Sequence, residues 1–490
     1  MPSESKPAHP ASPDARPARR TRAVQALAVL VAVALLGTVA TRLLDRLTAR
    51  RRPSVVLILV DTLRADYLGA YGFDGPVSPN IDALAQDSVL FERAFSQAPW
   101  TKPSIASLFT SLAPDTHKVL SHDGKYGDPH GSTEALPAEA ATLAESFQAA
   151  GYATAAFVAN PWMLREHGWA QGFDVFDQRQ GALPPSTEVM LRAVRRWLGA
   201  RKPEQPFFLY LHLMDVHGPY DAPDEDYAAV RESPGLGPAR RLTVEEMSQL
   251  RPYQLRARWA KGDAVHELRT WRGRYAAGVH ALDRQLGPFF AELRQSGVLD
   301  EAVVVLTADH GEELGDNGGW DHGNDLYDHQ IHVPLLVRLP GARDAGRRVG
   351  EVVSLIDVMP TLLAQGGIAP PAAAQGHDLS PLLCGEAAHA GPDVSFASGV
   401  KWNPELHSLR APDRKLIRDG RTGPSWLFDL TKDPGEQHDL SRARPQELES
   451  LGDTLTAHQD ALAALPALAP AQGAVSDEMK KRLEALGYAH

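Results

Sequence analysis

Cysteine is almost absent from this chain. Its 490 residues include one, Cys384. An intrachain disulfide and a cysteine-rich metal cluster are both excluded. Positive charge is scarce in the body of the chain. Residues 1–52 carry 10 Lys/Arg and 3 Asp/Glu, so a formal charge of −11 overall leaves −18 for the remainder. Binding to a phosphate backbone needs basic patches, so an acidic body argues against a nucleic-acid partner. It leaves room for a small anionic substrate held through a metal. No internal repeat is visible, and 43% hydrophobic with 23% charged residues is the balance of a folded protein.

What is present begins with a tail. Residues 1–22 are rich in Pro, Ala and Arg and poor in large apolar side chains, which predicts a disordered, cytoplasmic tail. Ala23–Ala40 then runs without charge. As a helix it spans about 27 Å, close to a bilayer core of about 30 Å. It is longer than the apolar stretch of a signal peptide and lacks a clear cleavage site. Residues 23–41 are therefore expected to be a transmembrane signal anchor. Arginines flank both ends, so loop charge does not fix the orientation.

The body alternates strands with helices. Ser54–Val60, Pro206–Asp215 and Ala302–Asp309 are apolar runs suited to strands buried on both faces of a sheet. Ala140–Gln148 and Arg272–Gln295 read as helices. The fold class expected is α/β. Each of the three runs ends at an acidic residue, Asp61, Asp215 or Asp309, and ligands of open parallel sheets bind beyond the carboxyl ends of strands. Residues 221–271 are charged and mixed, and are expected to form a helical excursion outside the core with a solvated face. Pro370–Ala374 and Ala464–Pro470 read as loops or linkers.

Two clusters carry candidate chemistry. Thr307–Glu313 contains Asp309-His310-Gly311, and Trp320–Gly323 follows with His322. Carboxylate with imidazole at a strand end suits zinc, manganese or iron better than calcium, which prefers oxygen alone. His212–Tyr220 holds Asp215 and His217, which strand alternation would place on one face, for a second metal or a substrate anion. Thr101, in Ala98–Ser104, reads by itself as a helix cap sooner than as a nucleophile.

Taken in order, these segments resemble the sulfatase family of the alkaline phosphatase superfamily. Val60–Gly69 is similar to its first metal-ligand segment and Ser78–Ala85 to "TPNLDxLA". Trp100–Thr110 is similar to the nucleophile segment, Asp215–Tyr220 to "DPHxPY" and Asp309–Glu312 to "DHGE". Lys415–Arg418 and Leu427–Leu440 resemble the small C-terminal sheet of the family. The resemblance implies a central mixed sheet flanked by helices, a catalytic domain over residues 53–385 and a small C-terminal α+β subdomain with tail over 386–490. It implies a divalent metal (Zn or Mn, with Ca as the other choice) held by Asp61, Asp309, His310 and the Thr101 oxygen. Thr101 would be the nucleophile. His217 and His322 would bind the transferred group or protonate the leaving oxygen. Asp215, His212, Asn160 and Lys102 are the residues for a second metal or the substrate.

The departures from the family pattern restrict the chemistry. Thr101 stands where sulfatases carry the Cys or Ser that becomes formylglycine, so no formylglycine is expected. Ile105 replaces the motif arginine, Thr62 a second aspartate and Val216 the proline. The segment after Gly151 lacks the family's Lys/His pair and reaches Asn160 instead. A threonine resembles the phosphodiesterase and phosphoethanolamine-transferase branches. The function expected is a membrane-anchored, metal-dependent hydrolase of sulfuric or phosphoric esters, its body extracytoplasmic and its substrate an anionic ester of a glycan, lipid head group or small molecule. A transferase and a non-catalytic binding protein are the alternatives.

Overall fold

The computed structural model describes residues 52–120, 132–178, 186–250, 255, 262–386, 391–401, 403, 405–420, 423–469 and 471–474. The expected tail and the anchor at 23–41 lie outside the described residues. Among those described, no helix is long and apolar enough to cross a membrane.

Strands in chain order are β1 (Ser54–Val60), β2 (Val89–Phe95), β3 (Ser132–Ala135), β4 (Ala153–Val158), β5 (Val175–Gln178), β6 (Phe207–Leu213), β7 (Ala302–Thr307), β8 (Glu313–Leu314), β9 (Trp320–Asp321), β10 (His332–Arg338), β11 (Arg348–Ser354), β12 (Ser395–Ala397), β13 (Leu406–Arg410), β14 (Arg414–Asp419), β15 (Ser425–Asp429) and β16 (Ala471–Ala474). The central sheet has the order β11-β2-β10-β7-β1-β6-β4-β5. Only β10 runs against the rest, antiparallel to both β7 and β2. The three apolar runs expected to be strands are β1, β6 and β7, and they lie side by side at its centre. Val55–Val60 are fully buried because helices cover both faces.

This topology explains how distant residues meet. With β1, β2, β4, β6 and β7 pointing one way, their carboxyl ends share one edge. Leu59 is level with both His212 and Thr307. The segments that follow, beginning at Asp61, Asn160 and Asp309, therefore emerge together, at the edge where ligands of such sheets bind.

Ser78–Ala85 serves the frame. Asp82 accepts from the Ala70 N–H and the Ser78 hydroxyl at 2.7 and 3.0 Å. Asp283, on the helix Leu268–Gln295, accepts from the Asn80 and Ile81 N–H groups at 3.0 and 2.7 Å. These bonds tie the helix Pro79–Gln86 to the loop after β1 and to the long helix.

The excursion at 221–271 differs from expectation. It carries helices at Asp224–Val230 and Val244–Gln249 and a largely exposed face, but it does not lie outside the core. Val230, Leu236, Leu242, Leu250 and Val265 join the main core. Two of its buried carboxylates are spent on the long helix: Asp226 on His280 and Arg284, Asp263 on Arg274. The charges pair with a neighbouring element and leave the apolar positions to face inward.

The antiparallel sheet β12-β13-β14-β15, with the helix Pro445–Ala463, forms the α+β part near the C-terminus. Ala397, Leu406, Ile417 and Phe428 pack with Phe95 and Val352 of the central sheet. Part of the expected linker is tied down, since the Leu468 N–H donates to the Thr116 carbonyl at 2.9 Å. β16 then pairs with β3.

His117 sits beneath the helix Thr101–Thr110. Its Nδ1 accepts from the Val119 N–H at 3.0 Å, so Nε2 carries the proton and donates to Ser107 Oγ at 3.1 Å. Burial pushes this imidazole down to about 3 from 6.5. The fold keeps it neutral, whereas the unfolded chain takes a proton below about pH 6.5. Stability is therefore lost as pH falls from about 6.5 towards 3. Between pH 6.5 and 5 this residue accounts for about 2 kcal/mol of lost stability. Urea unfolding at the two pH values should show a loss smaller by that amount in His117→Gln.

Candidate active site

The edge residues close on one another through two carboxylates. Asp61 follows β1, and its N–H is held by the Leu213 carbonyl at 2.9 Å. Its Oδ2 accepts from Asn160 Nδ2 at 2.6 Å and from His212 Nε2 at 3.1 Å. The other nitrogen of His212 is engaged by the Tyr210 hydroxyl at 3.0 Å. Asp309 follows β7. Its Oδ1 accepts from the Thr62 N–H at 3.2 Å and the His310 N–H at 2.9 Å. Thr62 adopts φ of 60°, a left-handed backbone that a β-branched residue seldom takes. The Tyr275 hydroxyl secures that turn, donating to the Thr62 carbonyl at 2.6 Å and accepting from the Arg64 N–H at 2.9 Å.

Each carboxylate thus has one anchored oxygen. The others, Asp61 Oδ1 and Asp309 Oδ2, are buried without a hydrogen-bond partner. His310 Nδ1 donates to the Gly311 carbonyl at 2.8 Å, which leaves a lone pair on Nε2. That nitrogen lies 3.4 Å from Asp309 Oδ2, 3.7 Å from Asp61 Oδ1 and 3.4 Å from Thr101 Oγ1. Burial and its cationic neighbour His322 push His310 down to about 3, so it is neutral. Burial works against ionised Asp61, but the His212 bond and nearby imidazoles hold it below the usual carboxylate range. Burial and the Asp61 charge push Asp309 well above that range. Two carboxylate oxygens and an imidazole lone pair converging in a buried space fit a divalent cation, which would take the place of the proton that Asp309 otherwise holds. Asp61, His212 and Asp309 each bring a donor atom within 4.8 Å of the others. Of the two histidines here, His310 is the better donor, because both nitrogens of His212 are already engaged.

Thr101 is the first residue of the helix Thr101–Thr110, and Trp100 occupies the capping position without a side-chain cap. The helix-cap reading of Thr101 therefore does not hold. Ser104 Oγ donates to the Asp309 carbonyl at 2.6 Å, binding this first turn to the segment after β7. Lys102 is buried between Trp100 and Trp162, its Nζ 5.7 and 5.3 Å from the ring centroids and 3.2 Å from the Glu134 carbonyl. Burial lowers it to about 8, against the opposing pull of Glu134.

His217 and His322 complete the cluster. The His322 ring centroid is 4.5 Å from that of His310 and 5.2 Å from that of His217. Asp215 is not brought here. Its oxygens accept from Thr187 Oγ1 at 2.5 Å and Gln285 Nε2 at 3.2 Å, joining two helices. Strand alternation fails as a guide because β6 ends at Leu213 and the chain turns, with the His217 N–H on the Met214 carbonyl at 3.1 Å.

Sequence reasoning gave Glu312 and Asp321 no role. Both carboxylates lie 3.1 Å from His322 Nδ1. Burial disfavours the imidazolium, yet these two charges raise His322 to about 9. The acidic run Glu312-Glu313 beside the histidine motif was the available signal. The pairing itself depends on the β8–β9 hairpin.

Gly311 is required by space. A Cβ there would meet the His329 carbonyl oxygen at 2.2 Å. Gly311→Ala is expected to destabilise the fold by about 1–3 kcal/mol. It should also cut turnover about 100-fold, because a shift near 1 Å misplaces reacting groups. Thermal unfolding together with kcat would check both.

Residues 53–368 match the Sulfatase family, and residues 315–461 match "N-sulphoglucosamine sulphohydrolase, C-terminal". The chain is 28% identical over 511 residues to a steryl-sulfatase of Mus musculus, covering 82% of this chain and 81% of that protein. It is 27% identical over 444 residues to an ulvan-active sulfatase of Formosa agariphila, covering 83% and 80%. The fold matches the phosphonate monoester hydrolase of Agrobacterium radiobacter with a TM-score of 0.67 at 24% identity, covering 84% of this chain and 96% of that one. The chain belongs to the sulfatase family of ester hydrolases.

Proposed function

We propose that this chain is a metal-dependent hydrolase of sulfuric or phosphoric esters with Thr101 as its nucleophile. The observation that carries this reading is the position of Thr101 Oγ1. It lies 3.4 Å from the His310 lone pair, beside two buried carboxylate oxygens that lack partners. A divalent cation, zinc or manganese by its donors, held by Asp61, Asp309, His310 and Thr101 would lower the pKa of the hydroxyl and stabilise negative charge on the transferred group.

Thr101 Oγ1, its proton lost to solvent, forms a bond to sulfur or phosphorus as the ester oxygen departs on the opposite side. His322, kept protonated by Glu312 and Asp321, gives its proton to the departing oxygen. His217 binds an oxygen of the transferred group. Water then attacks the same sulfur or phosphorus, and Thr101 Oγ1 leaves and regains a proton. A threonine carries no aldehyde hydrate that could expel the group, so release runs through this direct attack. An alcohol in place of water would make the enzyme a transferase. The ester belongs to a glycan, a lipid head group or a small molecule, and residues 23–41 anchor the body to a membrane.

The test is turnover of aryl sulfate, aryl phosphomonoester and aryl phosphodiester by the purified full chain, with and without chelator. Chelator-sensitive turnover of at least one class is expected, and none for any class would overturn the reading. His322→Gln should slow alkyl esters about 10²–10⁴-fold. Aryl esters with good leaving groups should suffer less, since they need little help from an acid. Equal losses for both would remove His322 from the acid role.

A further inference from the structure

We infer that Glu313, Asp325 and His329 form a second metal site, separate from the catalytic centre and suited to zinc. Glu312 and Glu313 are neighbours in the chain but serve different clusters: Glu312 meets His322, whereas Glu313 meets His329. His329 lies in the short helix Asp328–Ile331. Its side chain is 6% exposed, and no hydrogen bond reaches Nε2. That nitrogen faces Glu313 Oε2 at 3.5 Å and Asp325 Oδ1 at 3.7 Å. All three residues offer donor atoms within 4.8 Å of one another.

These spacings discriminate between two explanations. A protonated histidine drawn to a carboxylate closes to about 2.7–2.9 Å. Donors at adjacent corners of a tetrahedron with bonds of about 2.0–2.1 Å stand about 3.4 Å apart. The observed distances fit the second case better. The carboxylates are also fixed in place. Glu313 is held through its far oxygen, Oε1, which accepts from the Asn317 and Gly319 N–H groups at 3.1 and 2.8 Å, while in Asp325 the Oδ1 that faces His329 also accepts from the Tyr327 N–H at 3.0 Å. Gln330 Nε2 approaches Glu313 Oε2 only at 3.5 Å. Asp325, 20% exposed, gives an entry path, and a water from that side would be the fourth donor. One imidazole with two carboxylates is a donor set for zinc. An ion there would join the β8–β9 hairpin to the helix Asp328–Ile331 and brace the loop that carries His322.

Metal-stripped full-length protein, titrated with zinc by equilibrium dialysis and with cobalt by visible absorption, tests this site. Asp309→Ala empties the catalytic centre and should still bind about one equivalent, with the intense bands of tetrahedral cobalt. Asp309→Ala combined with His329→Ala should bind none. Glu313→Gln on the Asp309→Ala background replaces the second variant if His329→Ala fails to fold by circular dichroism. The proposal is overturned if natively folded Asp309→Ala binds no zinc, or if the double variant keeps its equivalent. Wild-type protein that binds one equivalent, lost with His329→Ala and kept with Asp309→Ala, would instead contradict the catalytic metal while leaving this site standing.

Discussion

Thr101→Ala is expected to lower turnover by about 10⁴-fold or more while leaving the fold intact. Loss of a nucleophile removes the covalent route altogether, and such losses are among the largest single-residue effects on catalysis. The structure explains why folding should survive. The Thr101 side chain makes a long contact with His310 at 3.4 Å, caps nothing, and starts a helix whose seating depends on other groups. Ser104 bonds to the Asp309 carbonyl and Ser107 to His117 whether or not residue 101 has a hydroxyl. Thr101→Ser keeps an oxygen at the same place and should retain turnover. Activity of the alanine variant comparable to wild type would mean that another group attacks. A large fall in melting temperature would mean that the residue is structural.

Metal removal is the second large effect. Without an ion, Asp309 Oδ2 faces Asp61 Oδ1 and the His310 lone pair in a buried space, and Asp309, ionised in the unfolded chain at neutral pH, takes up a proton there at a cost to stability. Chelation should bring turnover to background, and added zinc or manganese should restore it. Zinc or manganese at about 100 times its dissociation constant should stabilise the fold by about 2.7 kcal/mol. Asp309→Asn separates this account from a purely structural one. The asparagine keeps an oxygen for the Thr62 and His310 N–H groups and turns an amide N–H towards Asp61 and His310. The metal-free variant should therefore be more stable than metal-free wild type by about 1–3 kcal/mol. It should also be inactive and gain no stability from the metal at this centre. If metal-free Asp309→Asn is less stable than metal-free wild type, the two carboxylates do not oppose each other as described.

Much of this site was legible in the sequence because strand ends are visible there. Apolar runs closing at Asp61 and Asp309 announce a sheet edge, and the parallel order of β1 and β7 brings those ends together. His310 stood out beside Asp309 at a strand end, whereas Thr101 became the nucleophile only through motif resemblance. Asp215 was misplaced because alternation holds only while the chain stays extended, and β6 stops two residues earlier. Glu312 was missed because a hairpin, not sequence spacing, sets it against His322, and Asp321 because adjacency to a histidine does not show which way a side chain turns. Asn160 looked like the residue left where a family pair is missing. In the fold it anchors Asp61 Oδ2 and so directs the other oxygen inward. The reversed β10 and the pairing of β3 with β16 had no local signal, since both are settled by contacts between segments far apart in the chain.

The most direct measurement is the identity of the covalent intermediate. Wild-type protein, loaded with its metal and mixed with a turned-over aryl ester, would be quenched in acid within the first turnovers, digested and mapped by mass spectrometry. A sulfo or phospho group on the peptide bearing Thr101, absent from Thr101→Ala and after chelation, is the result predicted. Steady turnover with that peptide unmodified, or with the group on another side chain, would contradict the account.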